Sequence, residues 1–310
     1  MEITRIKVIG VGGSGSNAVS RMMEYSLFGV ELIAVNTDTQ DLIKAKAHQK
    51  IAIGRNITKG LGTGMKPEIA RKAAEEDMNI LKKSFKGTDL AFIACGLGGG
   101  TGTGASPVIA DILREMKILT VAVVTMPFSF EGKKRESVAK KGLKELGEKV
   151  DTLITVSNDK LFKIITPEDN IDSAFWMCDE VLRQAVQSIS DIIMLPGIIN
   201  IDFADIRTIL KKSGSALFGI GMGKGENRAK EAVYSALKSP LVSISSKKAK
   251  GVIFNVSGGN DISLSEINEI AKIVKSYVLP DAKIIFGAVQ NEKLKKGEIK
   301  VTIIITGLQS

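Results

Sequence analysis

The chain has 310 residues, of which 44% are apolar and 25% charged, a composition typical of a folded protein and not of a disordered or collagen-like one. Its length predicts about two domains. Two cysteines and a single histidine, His48, cannot supply a four-ligand zinc site or a disulfide framework, and they argue against Ser-His-Asp or Cys-His catalysis. We therefore expect a protein of a reducing, cytoplasmic environment.

The net charge of +9 is unevenly distributed, with +2 before Pro196 and +7 after it. A basic surface attracts nucleic acid, but aromatic residues make up only 5% of the chain and the lysines are scattered. We therefore expect a solvated, lysine-rich surface and no nucleic-acid partner. The longest apolar run, residues 118–128, is too short to span a bilayer, and residues 1–10 lead into a strand instead of forming a signal peptide.

Short β-branched runs alternate with amphipathic stretches in the first half of the chain. Strands are predicted over residues 3–9, 30–35, 89–94, 119–125 and 152–156, and helices over 17–25, 66–83, 105–116 and 133–149. Strand-helix alternation of this kind is typical of a parallel sheet covered on both faces. The sequence therefore predicts an α/β fold in which residues 1–170 form a doubly wound parallel-sheet domain.

A long helix is predicted over residues 172–193, because apolar residues recur there at intervals of three and four before Pro196 and Gly197. It defines a central connecting segment, 171–196. Beyond it the pattern changes to helices over 206–211, 227–237 and 263–277 and strands over 251–256, 283–289 and 299–305. These elements predict a second, smaller α+β domain, 197–310.

A glycine-rich turn, Gly10-Val11-Gly12-Gly13-Ser14-Gly15, follows the first predicted strand and opens a helix. Glycines at such a turn let backbone amides approach a phosphate at the positive helix terminus. By itself this motif leaves two other interpretations open. It could be a structural tight turn, or it could bind a nicotinamide or flavin dinucleotide with Asp38 as the ribose-binding acid.

A second glycine-rich loop follows another predicted strand, and six of the nine residues from Gly96 to Gly104 are glycine. A tight turn does not need so many. Consecutive glycine amides at a helix start form a deep anion-binding nest, and the hydroxyls of Thr101 and Thr103 add donors. This loop favours a triphosphate over a bridged pyrophosphate. No Walker A motif occurs, so the chain is not a P-loop enzyme.

Several motifs together resemble the tubulin/FtsZ family of GTPases, and in particular its FtsZ branch, over nearly the whole chain. The first is Gly98 to Gly104, which reads GGGTGTG. The others, in matching order, are residues 36–38, 60–64, 125–135 and 157–161. The resemblance implies a tubulin/FtsZ-like fold, GTP/GDP binding, and Mg²⁺ held mainly by phosphates and water, with no protein metal site.

The resemblance also assigns site residues. It places the α- and β-phosphates on the first glycine loop, the phosphate chain on the second, the γ-phosphate near 62–64, and ribose and phosphates at 131 and 135. The implied nucleotide-binding residues are Gly12, Gly13, Ser14, Gly15, Ser16, Asn17, Gly62, Thr63, Gly64, Gly98, Gly99, Gly100, Thr101, Gly102, Thr103, Thr125, Glu131, Arg135, Asn158, Phe175 and Asp179. Glu131 and Arg135 are also spaced as an i, i+4 pair, so a surface salt bridge remains an alternative.

Phe175 and Asp179 are four residues apart on the long helix, which puts the ring and the carboxylate on one face. Guanine presents two donors on its Watson-Crick edge, whereas adenine presents a donor and an acceptor, so an ionised carboxylate selects guanine. In the family, the Asn158 position packs on the other side of the base. Phe175 alone would more often be a core residue, but its pairing with Asp179 favours a base-binding role.

The phosphate loops contain no acidic residue that could activate water. Asp202 and Asp205 lie three residues apart at a predicted helix start, and from sequence alone a helix cap is the favoured interpretation. The resemblance implies instead that this segment enters the nucleotide pocket of a neighbouring subunit. Asp202 and Asp205 would then orient the attacking water, and Asn200 would contact the γ-phosphate region.

The resemblance implies a GTPase that polymerises head to tail with copies of itself, hydrolyses GTP at the subunit interface and acts in cell division at a cytoplasmic mid-cell ring. Division proteins or membrane tethers are expected as further partners. Because the chain stops shortly after the last predicted strand, we expect no direct membrane insertion. The alternatives are a dinucleotide-dependent oxidoreductase, which leaves the second glycine loop unexplained, and a tubulin-fold regulator that binds GTP without cycling.

Overall fold

The computed structural model describes residues 4–25, 27–161, 171–195, 197–199, 201–239, 249–291 and 294–307. The chain divides into two compact units, Met1–Ser190 and Asp191–Ser310. The division falls inside the long helix that was predicted to connect two domains.

The first unit contains a parallel sheet with helices between its strands, as the alternating pattern predicts. Its strand order is β3-β2-β1-β4-β5-β6. The strands are β1 (Ile6–Val11), β2 (Val30–Asn36), β3 (Gln49–Ala52), β4 (Leu90–Gly96), β5 (Leu119–Met126) and β6 (Thr152–Ser157). The chain moves outward from β1 to β3 and then returns to β4 on the other side of β1. This reversal creates the crevice in which parallel sheets commonly bind ligands.

Helices follow most of these strands. They are α1 (Gly12–Glu24), α2 (Thr39–Lys44), α3 (Arg55–Thr58), α4 (Pro67–Glu76), α5 (Met78–Ser84), α6 (Thr101–Glu115), α7 (Lys133–Gly147), α8 (Asn158–Leu161) and α9 (Ile171–Met194), with a 3₁₀ turn at Ser129–Glu131. Helices α1 and α6 begin several residues earlier than predicted. The glycine loops therefore form the first turns of these helices.

The helix predicted over residues 66–83 is two helices, α4 and α5, so that prediction was wrong. Asp77 interrupts it with non-helical backbone angles (φ −101°, ψ 21°). Its carboxylate accepts a hydrogen bond of 2.7 Å from the backbone N–H of Gly54. A contact between residues 23 positions apart in the sequence thus ends the helix, and helical periodicity does not reveal it.

The second unit contains a mixed sheet in the order β7-β10-β8-β9, in which β8 and β9 are parallel and the other pairs antiparallel. Its elements are α10 (Phe203–Leu210), β7 (Gly214–Lys224), α11 (Arg228–Leu237), β8 (Gly251–Gly258), α12 (Leu264–Ser276), β9 (Lys283–Gln290) and β10 (Glu298–Thr306). A buried aliphatic core joins α11 and α12 to these strands. This is the predicted α+β architecture.

Strand β7 was missed by the sequence analysis, because four of its eleven residues are glycine and glycine weakens the β signal. The structure shows why glycine occurs there. A Cβ on Gly221 would lie 2.0 Å from the carbonyl oxygen of Ala232, and one on Gly223 would lie 2.0 Å from that of Arg228. The glycines therefore let α11 pack directly on the strand.

Candidate functional site

Two helix N-termini meet at the crevice beside β1. Strands β1 and β4 are adjacent and parallel, so the turns that follow them lie at the same edge of the sheet. Helix α1 begins at Gly12 and α6 at Thr101, and their N-cap residues, Val11 and Gly100, make no side-chain capping hydrogen bond. The unpaired N–H groups of two first turns, together with the positive ends of two helix dipoles, form a binding site for anionic groups.

Glycine is required where the two loops touch. Gly12 has a φ of +75°, and a Cβ on it would lie 2.9 Å from the backbone nitrogen of Gly102. A Cβ on Gly100 would lie 1.9 Å from Oγ1 of Thr63. The Thr101 hydroxyl is 2.7 Å from that of Thr37, which connects α6 to the segment after β2. Any larger side chain would force the loops apart.

A cavity of about 240 Å³ opens at these loops, within the first unit. Many of the predicted nucleotide-binding residues line it: Gly12, Gly13, Ser14, Thr63, Gly99, Gly100, Thr101, Gly102, Thr125, Glu131, Arg135, Asn158, Phe175 and Asp179. The sequence analysis did not single out five other lining residues, Val11, Gly96, Leu97, Pro127 and Cys178. Val11, Gly96 and Leu97 lie within the two glycine-rich loops and Pro127 lies within the motif 125–135, so the motifs already contained them, whereas only its position next to Asp179 could have indicated Cys178.

The remaining predicted nucleotide-binding residues are not part of the cavity lining: Gly15, Ser16, Asn17, Gly62, Gly64, Gly98 and Thr103. Two of them support the loops from behind. A Cβ on Gly15 would lie 2.4 Å from the carbonyl oxygen of Ala94, so this glycine lets α1 approach β4. The buried Thr103 hydroxyl accepts a 2.9 Å hydrogen bond from the Gly98 amide, which braces the second loop.

One end of the cavity is lined by aromatic and polar side chains. Phe175 is half-exposed, and its ring packs edge-on against Phe128 with centroids 5.5 Å apart. Asn158 is buried, and its Oδ1 has no hydrogen-bond partner within the described residues. A buried amide oxygen without a partner is costly unless a ligand supplies a donor. This end therefore suits a flat, polar ring such as a nucleobase.

Asp179 is buried on α9, and its environment is unusual for a carboxylate. Burial raises its pKa to about 6, although the hydrogen bond and the charge of Arg21 act in the opposite direction. Nε of Arg21 donates to Oδ2 of Asp179 over 3.2 Å. The sequence analysis missed Arg21, which belongs to no motif and lies one turn beyond the first glycine loop on α1.

Glu131 and Arg135 form the predicted i, i+4 ion pair, with 2.9 Å between Oε2 and Nη1. The alternative of a surface salt bridge does not fit this geometry, because both residues line the cavity and the Glu131 side chain is only 9% exposed. Glu131 also accepts a 2.8 Å hydrogen bond from the Phe128 amide. The buried Nε of Arg135 has no partner among the described residues, so it remains available to an anionic or hydroxyl ligand.

The candidate catalytic acids belong to the second unit. Asp202 caps α10 by accepting a 3.1 Å hydrogen bond from the Ala204 amide, and Asp205 lies in the first turn of the same helix. Both side chains are exposed. The cap that the sequence favours therefore exists, and it leaves both carboxylates accessible. Asn200 lies outside the described residues.

Neither cysteine is suited to nucleophilic chemistry. Burial raises the pKa of both Cys95 and Cys178 to about 12, so neither thiol is a ready nucleophile. In the described part of the chain, no cluster of His, Cys, Asp and Glu could hold a metal ion. Nor is any helix in that part long and apolar enough to cross a bilayer.

Comparisons with known proteins agree with this fold and site. A family model for the Tubulin/FtsZ family, GTPase domain, matches residues 5–166, and one for the FtsZ family, C-terminal domain, matches residues 214–309. An empty FtsZ dimer from M. jannaschii is 43% identical, covers 99% of this chain and 89% of its own, and has a TM-score of 0.94. A tryptophan-to-tyrosine mutant of the M. jannaschii FtsZ gives the same identity and TM-score, with 99% and 92% covered.

A more distant likeness shows only the fold. The CetZ2 protein of Haloferax volcanii, in a GTPγS-bound protofilament, is 19% identical with a TM-score of 0.84, over 99% of this chain and 94% of its own.

The fold, the cavity and the matching family models define a nucleotide-binding protein of the tubulin class. The chain belongs to the tubulin/FtsZ family. Its two matched domains are those of an FtsZ-like GTPase.

Proposed function

We propose that this protein is a cytoskeletal GTPase that assembles head to tail into filaments and hydrolyses GTP where one subunit meets the next. The observation that carries the proposal is the meeting, in one cavity, of two uncapped helix N-termini and the buried carboxylate of Asp179. The helix N-termini suit phosphates, and the carboxylate suits a base edge with two donors. A guanine nucleotide presents both groups.

The base fits between Phe175 and Asn158, with Asp179 at its edge. Phe175 is 43% exposed, so its ring offers an apolar surface on which a base can stack, and the buried Asn158 oxygen, which has no partner among the described residues, accepts a hydrogen bond. An ionised Asp179 accepts from N1 and the 2-amino group of guanine, whereas adenine offers it an unpaired acceptor. Guanine is therefore preferred over adenine.

The phosphates fit at the start of α1 and α6, where backbone amides and the Thr101 hydroxyl donate to them. Arg135 adds a positive charge and a free Nε donor, and Glu131 holds that guanidinium in place. Mg²⁺ would be bound mainly by phosphate oxygens and water, since Mg²⁺ dehydrates reluctantly and nucleotide phosphates supply its preferred oxygen ligands. It would neutralise charge that develops on the phosphates.

Hydrolysis needs a polar side chain that orients the attacking water, and neither glycine loop contains a carboxylate for this role. Asp202 and Asp205 are exposed at the start of α10, where they are accessible to a second subunit. We assign them to the pocket of the neighbouring subunit in a head-to-tail filament, with Asn200 beside them. The dimer formed by the M. jannaschii FtsZ, which is 43% identical, supports self-association of this kind.

The biological role that we propose is cell division, as a filament of a mid-cell ring in the cytoplasm, tethered to the membrane by other division proteins. The resemblance to FtsZ over 99% of the chain supports this role.

Nucleotide identification and sedimentation test the proposal together. Nucleotide released by denaturing the purified protein is expected to co-elute with GDP or GTP and not with NAD or FAD. With added GTP the protein should pellet at high speed, with GDP it should pellet weakly, and with ATP it should stay in the supernatant. Equal pelleting with ATP and GTP, or a released dinucleotide, would contradict the assignment.

A further inference from the structure

Arg21 connects the helix of the first glycine loop to the helix that carries Asp179. Its Nε donates to Oδ2 of Asp179, and its guanidinium carbon lies 5.4 Å from the ring centroid of Trp176, one turn before Asp179 on α9. Stacking on the indole restricts the guanidinium to a small range of positions. The Arg21 side chain is 28% exposed and the Asp179 side chain 8% exposed, so the ion pair is largely shielded from solvent.

Among the residues that the structure describes, Arg21 is the cation that forms an ion pair with Asp179. Arg183, which lies on α9 itself, pairs instead with Glu180 at 2.5 Å, and its guanidinium lies over the ring of Tyr25. The other titratable groups nearby are Cys178 and Glu180 on α9 and Glu131 on the 3₁₀ turn. Burial raises the pKa of the Cys178 thiol, and the charges of Asp179 and Glu131 raise it further. Against burial, hydrogen bonds from Arg183 and Gln184 lower the pKa of Glu180, and the charges of Arg183 and Arg21 add to this effect. Without Arg21, burial would act on Asp179 unopposed.

The geometry of the ion pair leaves room for a base. Arg21 bonds to Oδ2 through Nε and occupies one lone pair. Within the described chain, Oδ1 of Asp179 receives no hydrogen bond. Oδ1 and the second lone pair of Oδ2 are therefore free to accept the two donors of guanine while Arg21 stays bound.

We propose that Arg21 is a positioning residue that determines nucleotide specificity, because it holds Asp179 in the ionised state and in one orientation toward the base. This inference presumes the proposed function, in which Asp179 reads guanine. An ionised carboxylate accepts both donors of guanine, whereas a protonated one presents a donor of its own and loses the preference. Arg21 itself does not touch the base.

The test measures the binding of GDP, IDP and ADP to the full chain at pH 6, 7 and 8. IDP lacks the 2-amino group, so the ratio of GDP to IDP affinity reports on the second hydrogen bond. The variants are Arg21→Met, Arg21→Lys and Asp179→Asn. Arg114→Met is the matched control, because it removes an arginine whose ion pair with Asp111 is exposed and lies outside the cavity lining.

For Arg21→Met we expect GDP affinity at pH 7 to fall roughly tenfold, the scale of a lost hydrogen bond to a charged group, with ADP affinity unchanged. The pH below which GDP binding weakens should move upward, because removing a nearby cation raises the pKa of a carboxyl group. Arg21→Lys keeps the positive charge but lacks the planar guanidinium group, so its GDP affinity should lie between those of Arg21→Met and the parent protein. Arg114→Met should behave like the parent protein.

The outcomes separate this inference from the proposed function. Normal GDP binding and pH profile in Arg21→Met, with impaired binding in Asp179→Asn, would overturn the role of Arg21 alone. Normal GDP binding in both variants would overturn the reading of guanine by Asp179 as well. An equal loss of GDP and ADP affinity with an unmoved pH profile would show that Arg21 merely ties α1 to α9. Thermal unfolding of each variant identifies any that do not fold, and Arg21→Lys then carries the test.

Discussion

The proposed recognition of the base depends on one residue, Asp179. Asp179 is buried, lines the cavity at the end proposed for the base, and binds guanine in its charged form. Replacing it with Ala should weaken GTP binding by about 1.5–3 kcal/mol, the range for a hydrogen bond to a charged group. Isothermal titration against GTP measures this loss, with the exposed Asp281→Ala as a control. Unchanged GTP affinity, or equal affinity of the parent protein for ATP, would refute the assignment.

The raised pKa of Asp179 predicts that nucleotide binding depends on pH. With a pKa of about 6, the carboxylate is ionised at pH 8 and increasingly protonated below pH 6. GDP affinity should therefore be constant above about pH 7 and fall as the pH drops through 6. In Asp179→Asn this step should be absent. Competition binding between pH 5 and 8 provides the measurement, and a profile shared by parent and variant would count against Asp179.

The raised pKa of Asp179 also makes the stability of the folded protein depend on pH. The folded-state pKa lies above the unfolded value of 3.8, so folding favours the protonated form. The stabilising contribution of that form is present below pH 4 and is lost as the pH rises through 6. Asp179→Asn should consequently raise the Tm of the nucleotide-free protein at pH 7.5, and the gain should shrink toward pH 5. A Tm difference that is independent of pH would show that burial of the charge is not costly.

At the scale of elements, the glycines of the second loop and of α6 serve two different purposes, and substitution separates them. A Cβ on Gly104 would lie 2.0 Å from the carbonyl oxygen of Pro67, where α6 packs on α4. Gly99 lines the cavity, and a Cβ on it would meet nothing within 4 Å. We expect Gly104→Ala to destabilise the protein by about 1–3 kcal/mol through overpacking.

Gly99→Ala is the matched variant. Its nucleotide-free Tm should stay near that of the parent, whereas GTP affinity should fall because the methyl group occupies cavity space. Thermal unfolding without nucleotide, followed by GTP titration, distinguishes the two effects. A large Tm loss in Gly99→Ala would contradict the division of roles.

At the scale of the whole molecule, shared catalysis makes a quantitative prediction. The cavity belongs to the first unit, and the candidate acids belong to the second. If Asp205 acts across an interface, GTP turnover per subunit should rise from almost nothing below the assembly threshold. Asp205→Ala should still bind GTP and polymerise while losing roughly 100-fold or more in hydrolysis, the scale for removing a positioned electrostatic group. Phosphate release measured against protein concentration tests both statements.

A control and a mixing experiment sharpen this prediction. The Asp41 carboxylate lies beside Gly13 in the first unit, so Asp41→Ala tests whether an acid of the same subunit activates water. Asp205→Ala subunits keep an intact pocket, and Asp179→Ala subunits keep an intact acid segment. Mixing them should restore activity above the sum of the two alone. A rate per subunit that is constant on dilution, with a large loss in Asp41→Ala, would place the complete site within one chain.

The sequence by itself determined the class of this protein and the general position of its site. Buried strands that end in glycine runs predict phosphate binding wherever the strands are parallel, because local backbone chemistry creates the anion nest. The strand-helix alternation predicted the doubly wound sheet because hydrophobic periodicity within each short segment indicates whether that segment is a strand or a helix. The same spacing placed Phe175 and Asp179 on one helix face, and both line the cavity.

Only the tertiary structure decided which glycines face the cavity and which pack behind it, because that depends on the approach of another element, as at Gly15 and Gly104. It also decided the strand character of residues 214–224 and the break at Asp77. The pairing of Arg21 with Asp179 joins residues 158 positions apart. No periodicity or motif encodes such a contact, since it arises only when the sheet brings α1 and α9 together.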